Sequence, residues 1–372
     1  MSLNPERQHQ AKEYARLRHR LLALDLILGA LAIVLVIALG LNVWLKQIML
    51  TLTSDVWLAT LFYFVIAFIG YEAMFAPLAY YSGFVLPHRY GLSTQTLRAW
   101  LMDGLKGGTL GVVLGAIVIQ VIYAVLRIAP ETWWLWATVF MILLNVVLAN
   151  LAPVLILPLF YKFKPLDDAE LVRRLTALAE QAHTRVQGVY TMMLSEKTTA
   201  ANAALMGLGN TRRIVLGDTL YQNYSHDEIE TILAHELGHH VHRDIGWSLV
   251  FESLTTLVGF VIADAFLRAS VAWLGYANVA DLAAMPVFAL ALGAFGLVTT
   301  PVSNGFSRWR ETMADEYALQ TTRNGKAFIG AMEKLANQNL ADVEPEGWVE
   351  WLLYSHPAVG KRIKHGETFA RA

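Results

Sequence analysis

The sequence predicts an α-helical polytopic membrane protein of about six spans that also carries a small α+β unit. Hydrophobic residues make up 56% of the 372-residue chain and charged residues only 16%, whereas a soluble globular domain has about 25% charged residues. Several apolar runs reach the length of about 20 residues that a membrane-spanning helix needs. One polar segment between these runs carries HELGH at positions 235–239.

Charge and cysteine content exclude some kinds of site. The net charge of −1 gives no electrostatic reason to expect nucleic acid as a partner. The chain has no cysteine, which excludes disulfides, thiolate nucleophiles and cysteine-based zinc sites. A metal site in this protein has to be built from His, Asp and Glu.

Six apolar segments are long enough to cross a bilayer as helices. The sixth is the weakest, because Pro286 and several glycines dilute it. The predicted spans are residues 21–45, 57–81, 105–126, 133–157, 247–268 and 283–300.

Basic residues predict the orientation of these spans, since short flanks rich in Lys and Arg stay in the cytoplasm. The polar head before the first span and the loop between the second and third spans are basic. They contain Arg7, Lys12, Arg16, Arg18, Arg20, Arg89, Arg98 and Lys106. The loops expected on the opposite side carry one basic residue each, Lys46 and Arg127. We therefore expect residues 158–246 and 301–372 to lie together on the cytoplasmic side.

The polar segment before HELGH reads as the α+β unit. Residues 166–183 have helical periodicity, and residues 186–194 and 211–218 have the composition of short strands separated by a polar loop. SHDE at 225–228 is a capping box, which opens a helix that we expect to run to about His242.

HELGH on that helix predicts a metal site. His235 and His239 are four residues apart and therefore share a helix face, and Glu236 can hold a water at the same ion. This pattern makes the α+β unit zincin-like. The alternative is a polar helix face with satisfied histidines. His240 and His242 are rotated away from the metal face, and we do not expect them to be ligands.

The third ligand is expected in SRWRETMADEYALQ, after the sixth apolar run. Glu311 and Asp315 are four residues apart, so one can bind the metal while the other orients a ligand imidazole. A catalytic zinc takes three protein ligands and keeps one position open. Taken alone, this stretch could equally be a solvated charged face.

The chain then divides into four predicted parts. They are an N-terminal membrane region with four spans (1–157), a cytoplasmic zincin-like catalytic unit with the HExxH helix (158–246), a two-span hairpin (247–300) and C-terminal cytoplasmic helices with the third zinc ligand (301–372).

These motifs occur in an order that resembles the M48 family of membrane zinc metalloproteases, in particular the Ste24-type CAAX prenyl proteases. The similarity extends over about residues 57–365. The similar segments are RYGLSTQTLRAWLMDGLK, LAPVLILPLFYKFKPLDDAEL, NAALMGLGNTRRIVLGDTL, HELGH, ETMAD and YSHPAVGKRI.

The resemblance implies a zinc endopeptidase with one Zn²⁺ per chain and a set of site residues. It implies that His235, His239 and Glu311 bind zinc and that Glu236 is the general base. The remaining implied roles are support of a ligand by Asp315, substrate-backbone binding by Asn202, stabilisation of the tetrahedral intermediate by His356, and a substrate contact by Arg362.

Three functions remain open on the sequence. The first is a Ste24-like endopeptidase for membrane-associated or C-terminally lipidated, CAAX-like peptide or protein substrates, acting at the cytoplasmic side of a bacterial inner membrane. The second is an HtpX-like quality-control protease for membrane proteins. The third is a catalytically silent membrane scaffold, against which the intact Glu236 argues.

Overall fold

The computed structural model describes residues 3–207 and 211–371 and is mainly helical, with one small sheet. Within these residues, six helices are long and apolar enough to cross a membrane. The predicted fold class, a polytopic helical membrane protein with an α+β unit, is confirmed. The four-part division of the chain remains a prediction.

Some helices of the membrane region come before the first strand in sequence, and two come after the last strand. They are α1 (Pro5–Ala38), α2 (Leu41–Leu52), α3 (Val56–Tyr80), α4 (Leu86–Arg89), α5 (Leu97–Ile128), α6 (Trp133–Leu151), α7 (Leu157–Phe160), α11 (Asp244–Leu274) and α12 (Met285–Thr322). The remaining helices are α8 (Ala169–Gln181), α9 (Asp218–Tyr221), α10 (His226–Val241), α13 (Gly325–Gln338), α14 (Gly347–Leu353) and α15 (Val359–Arg371).

The first span ends earlier than the sequence predicted. Gly40 adopts the left-handed conformation (φ 69°), which breaks the helix between α1 and α2. Residues 41–45, which the prediction assigned to the first span, therefore belong to α2, which packs against α3 and the turn at 282–284. Hydropathy misses this break because both sides of Gly40 are apolar.

Two spans contain a π-helical turn near the α+β unit, at Tyr81–Val85 after α3 and at Ala152–Ile156 after α6. Such turns leave some carbonyls without a helical donor. The carbonyl of Pro153 instead accepts a hydrogen bond at 2.6 Å from Arg213 of the sheet. This bond ties the end of the fourth span to the α+β unit.

The sheet has four strands, β1 (Phe163–Pro165), β2 (Val189–Met192), β3 (Ala203–Met206) and β4 (Arg213–Gly217), in the order β1-β2-β4-β3. Strands β2 and β4 run parallel, and both outer strands pair antiparallel. The strand patterns in the sequence predicted β2 and β4 with a polar loop between them, and the family resemblance led us to expect a substrate-binding edge strand near residues 202–208. β3 lies at the edge of the sheet, so its outer main-chain groups have no strand partner in the described structure.

Helix α10 occupies the centre of the α+β unit. Ser225 and Glu228 form the predicted capping box at its start, and Leu233 and Leu237 are fully buried on its inner side. Gly238 lets α10 approach α12 closely, because a Cβ at this position would lie 2.9 Å from the Cα of Ala314. The close approach brings the HELGH motif against the second predicted motif.

Helix α12 is continuous from the sixth apolar run into the polar motif that contains Glu311 and Asp315. The predicted span and the predicted polar helix are thus one element. Pro301 lies inside this helix without ending it. A single rigid helix therefore positions both carboxylates relative to the membrane.

Candidate metal centre

Three ligand-type side chains meet between α10 and α12. His235, His239 and Glu311 each offer one ligand atom, and these atoms all lie within 4.8 Å of one another. His235 Nε2 is 3.2 Å from His239 Nε2 and 3.2 Å from Glu311 Oε2. His239 Nε2 is 3.4 Å from Glu311 Oε1. The two predicted motifs are thus brought together.

The Nδ1 atom of each imidazole, on the side away from the cluster, contacts a carboxylate. His235 Nδ1 lies 2.8 Å from Asp315 Oδ1, and His239 Nδ1 lies 2.7 Å from Asp244 Oδ2. A carboxylate can only accept, so both Nδ1 atoms carry the hydrogen. Each Nε2 is then free to present its lone pair to a shared point.

The donor set fits a metal ion. Two Nε2 atoms 3.2 Å apart cannot both point hydrogens at each other, and both of them also face the buried carboxylate of Glu311. A positive charge at this point satisfies all three side chains. Two imidazole nitrogens and one carboxylate oxygen are a common protein ligand set for catalytic zinc.

Glu236 lies beside the cluster and, among the described residues, is not one of its three ligand-type side chains. Its side chain is partly buried on α10. Burial raises the pKa of Glu236, while the positive charge of His235 and His239 opposes that rise. A carboxylate with a raised pKa is a better proton acceptor than a solvated one.

His235 has a strongly shifted acidity in the metal-free protein. Burial by itself lowers the pKa of His235, but the hydrogen bonds to Asp315 and Glu311 outweigh burial and raise the pKa to about 9. Without a metal, this imidazole therefore holds a proton at neutral pH.

His356 approaches the cluster from the segment before α15. Its Nε2 lies 3.3 Å from Glu311 Oε1, and its Nδ1 lies 2.9 Å from the hydroxyl of Ser355. The side chain is 59% exposed, so it is open to a substrate. Partial burial lowers the pKa of His356, and the ring is neutral at neutral pH.

Arg362 and Asn202 occupy different surroundings. Arg362 Nε donates to Asp315 Oδ2 at 2.8 Å and its Nη2 lies 3.4 Å from His235 Nδ1, so the guanidinium is committed to the support of His235. Asn202 is exposed immediately before β3. Its carbonyl accepts a hydrogen bond from the Gly217 amide at 2.8 Å.

Among the described residues, His240 and His242 are not part of this cluster, and their exclusion as ligands stays a prediction. Sequence reasoning missed Asp244 and its partner Arg310, which donates to both Asp244 and the carbonyl of His242. Asp244 is five residues after His239, a spacing that does not share a face on a continuous helix. The only available signal was its closeness in sequence to HELGH.

A cavity of about 360 Å³ opens beside the cluster, between α11 and α12. Its lining includes His239 and Glu311 at one end and Glu252 further along α11. Phe251 and Phe306 line this cavity and stack on each other with ring centroids 4.7 Å apart. The cluster therefore faces a partly enclosed space on the side of the apolar helices.

Two family models match the chain. The model described as "CAAX prenyl protease N-terminal, five membrane helices" matches residues 2–162, and the model described as "Peptidase family M48" matches residues 165–369. The second match spans more than half of the chain and contains every residue of the cluster.

Individual proteins show the same similarity. The chain is 32% identical to the "Uncharacterized metalloprotease YhfN" of Bacillus subtilis, over 77% of this chain and 68% of that protein. It is 28% identical to "CAAX prenyl protease 1" of Saccharomyces cerevisiae, over 77% of this chain and 67% of that protein. The crystal structure of S. mikatae Ste24p superposes with a TM-score of 0.87 and 24% identity, over 98% of this chain and 90% of that chain. This last likeness shows a shared fold.

Proposed function

The chain belongs to peptidase family M48, as an integral membrane zinc metalloendopeptidase, and from this premise we propose that it cleaves membrane-associated or C-terminally lipidated, CAAX-like peptides. The observation that carries the proposal is the convergence of His235, His239 and Glu311 beside a cavity between two membrane helices. The match to the CAAX prenyl protease N-terminal model is consistent with this substrate class, and the assay below distinguishes it from general quality control.

We assign His235, His239 and Glu311 as the protein ligands of one zinc ion per chain. When bound at such a set, zinc polarises the scissile carbonyl and lowers the pKa of water toward about 7. Asp315 and Asp244 keep the hydrogens on the Nδ1 atoms, so that each Nε2 lone pair remains available.

Glu236 is the proposed general base. Its position next to His235 on α10 and its raised pKa support removal of a proton from the attacking water. The same carboxyl group then delivers this proton to the nitrogen of the leaving amine. Glu236 is not one of the three proposed ligands, so its carboxylate remains available for this transfer.

His356 is the proposed donor to the developing oxyanion. The neutral ring carries one N–H, its side chain is exposed, and it lies beside Glu311. An oriented N–H donor of this kind stabilises negative charge more in the transition state than in the substrate. Arg362 supports this centre through Asp315, and its direct contact with substrate remains a prediction.

The edge strand β3 offers the place for the substrate backbone. An extended peptide can pair with the free main-chain groups of Ala203–Met206, and Asn202 stands exposed at the start of this edge. The edge strand expected near residues 202–208 includes residue 208, which lies outside the described residues. The hydrophobic body of the protein then holds substrates whose ends lie in the bilayer, with the site on the cytoplasmic side of a bacterial inner membrane.

One assay tests the substrate class. The purified protein is given a farnesylated C-a-a-X peptide, the same peptide without the farnesyl group, and an unfolded membrane protein, with Glu236→Gln as the inactive control. We expect zinc-dependent cleavage of the farnesylated peptide at a higher kcat/KM than of its unmodified twin. Cleavage of the unfolded membrane protein alone would instead support the HtpX-like function, and cleavage of none would contradict the proposal.

A further inference from the structure

A carboxylate–arginine pair connects His239 to the two helices that flank the cavity. Asp244 Oδ2 accepts from His239 Nδ1 at 2.7 Å. Its other oxygen, Oδ1, accepts from Arg310, whose Nη2 also donates to the carbonyl of His242 at 2.8 Å. Arg310 is 6% exposed and Asp244 is 7% exposed. Each buried charge is thus compensated by the other.

The contact between Asp244 and His239 depends on a sharp turn of the chain. Five residues along a continuous helix would place Asp244 about 140° around the axis from His239. Arg243 has a left-handed backbone (φ 56°), which separates α10 from α11. This turn points the carboxylate of Asp244, the first residue of α11, back at the imidazole.

Arg310 is held from the side of α12. The ring of Trp309 lies 5.0 Å from the guanidinium carbon of Arg310, and Glu311 follows it directly in sequence. Asp244 is the first residue of α11, and Arg310 lies in α12. The pair therefore joins these two membrane helices beside the metal cluster. The orientation of His239 therefore follows from how these two helices lie against each other.

We propose that Asp244 and Arg310 are positioning residues, which hold His239 in the orientation that zinc needs and make zinc affinity depend on the packing of α11 against α12. The inference rests on the proposed function, because it takes His239 as a ligand. Asp244 keeps the hydrogen on Nδ1 and so leaves Nε2 to the metal. Arg310 holds the Asp244 carboxylate in place through its hydrogen bond to Oδ1.

The same helix provides a matched control pair. Asp264 of α11 accepts from Arg268 Nε at 2.8 Å and from Trp133 Nε1 at 2.7 Å. This pair also joins α11 to a neighbouring span through a partly buried carboxylate. Within the described residues, the contacts of Asp264 and Arg268 include no residue of the metal cluster.

The test uses the purified full chain in detergent and two readouts besides activity. These are zinc affinity, measured by competition with a chromophoric chelator, and the visible spectrum of the Co²⁺-substituted protein. Asp244→Ala and Arg310→Gln should each weaken zinc binding by about 10- to 100-fold and shift the cobalt spectrum, with a smaller effect for Arg310→Lys. The double variant should bind no more weakly than Asp244→Ala, because both residues act through one imidazole. Asp264→Asn and Arg268→Gln should retain the native affinity and spectrum.

Native zinc affinity and an unchanged cobalt spectrum in Asp244→Ala would overturn the inference, and so would an equal loss in Asp264→Asn. If Asp244→Ala does not fold, Asp244→Asn decides by the same readouts. His239→Ala separates the proposed metal site from the proposed positioning role of Asp244 and Arg310. If it keeps zinc, the proposed metal site is wrong, whereas loss of zinc in His239→Ala combined with native binding in Asp244→Ala rejects the positioning role alone.

Discussion

The Nε2 atoms of His235 and His239 lie 3.2 Å apart, and each ring turns its Nδ1 toward a carboxylate on its far side. The carboxylates keep a hydrogen on each Nδ1, so when both rings are neutral the two Nε2 lone pairs face the same point as Glu311. This arrangement is unfavourable without a positive charge between the rings. The effects expected of the substitutions below follow from this arrangement of the two rings and their carboxylates.

Replacing Glu236 by Gln should remove peptide hydrolysis and keep the metal. The amide has nearly the same shape but cannot accept the proton of water, so kcat should fall by about 100- to 10,000-fold. Zinc content, measured by elemental analysis, should equal that of the native protein. Loss of zinc in this variant would make Glu236 a ligand and contradict its assignment as a base.

Glu311→Ala and Asp315→Asn should have unequal effects on the metal. Removal of Glu311 takes away a proposed ligand, so the purified variant should lose its zinc and its activity. Asp315→Asn should weaken zinc binding by only about 10- to 100-fold, because Asp315 contacts the Nδ1 side of His235. Zinc retained in Glu311→Ala and lost in Asp315→Asn would exchange the two roles.

His356→Ala should lower kcat with little change in KM or zinc content. The neutral His356 lies beside Glu311 and is open to the substrate, and loss of one oxyanion donor costs about 100-fold or more in kcat. His240→Ala, outside the cluster, is the matched control and should remain near native activity. An effect on KM alone would assign His356 to substrate binding.

Zinc binding to the metal-free protein should release a proton at neutral pH. The hydrogen bonds of His235 to Asp315 and Glu311 outweigh burial and raise its pKa to about 9, so below that pH the imidazole carries a proton that zinc must displace. Calorimetry in buffers of different ionisation enthalpy should show a proton release that is larger at about pH 7.5 than at about pH 10, by the share that comes from His235. Asp315→Asn removes one of the two carboxylates that stabilise the protonated His235 ring. Zinc binding to this variant should therefore release fewer protons at about pH 7.5. Release that does not depend on pH would reject this assignment.

Both halves of the metal site should lie on the same side of the membrane. The chain has no native cysteine, so single cysteines can report topology without background. In intact cells, cysteines at the exposed positions Gln222 and Lys364 should resist a membrane-impermeant thiol reagent, and one at Ser54 should react. Gln222 and Lys364 labelled on opposite sides would exclude a shared site, whereas both labelled from outside would only reverse the orientation.

The sequence by itself determined the class of the protein and the core of its chemistry. Continuous apolar runs predict spans because only helices of that length satisfy their backbone in lipid. The four-residue spacings of His235–His239 and of Glu311–Asp315 place each pair on one helix face. The capping box at Ser225 fixed where α10 begins, since its two hydrogen bonds are local in sequence.

Only the tertiary structure decided how these pieces meet. Glu311 and Asp315 share a face, and the packing of α12 on α10 decides that Glu311 faces the Nε2 atoms while Asp315 faces Nδ1 of His235. Asp244 reaches His239 only through the left-handed turn at Arg243, and β3 becomes a strand only because β4 supplies its hydrogen bonds. Such contacts depend on partners far away in the chain or on one unusual backbone angle, and neither leaves a periodic pattern in the sequence.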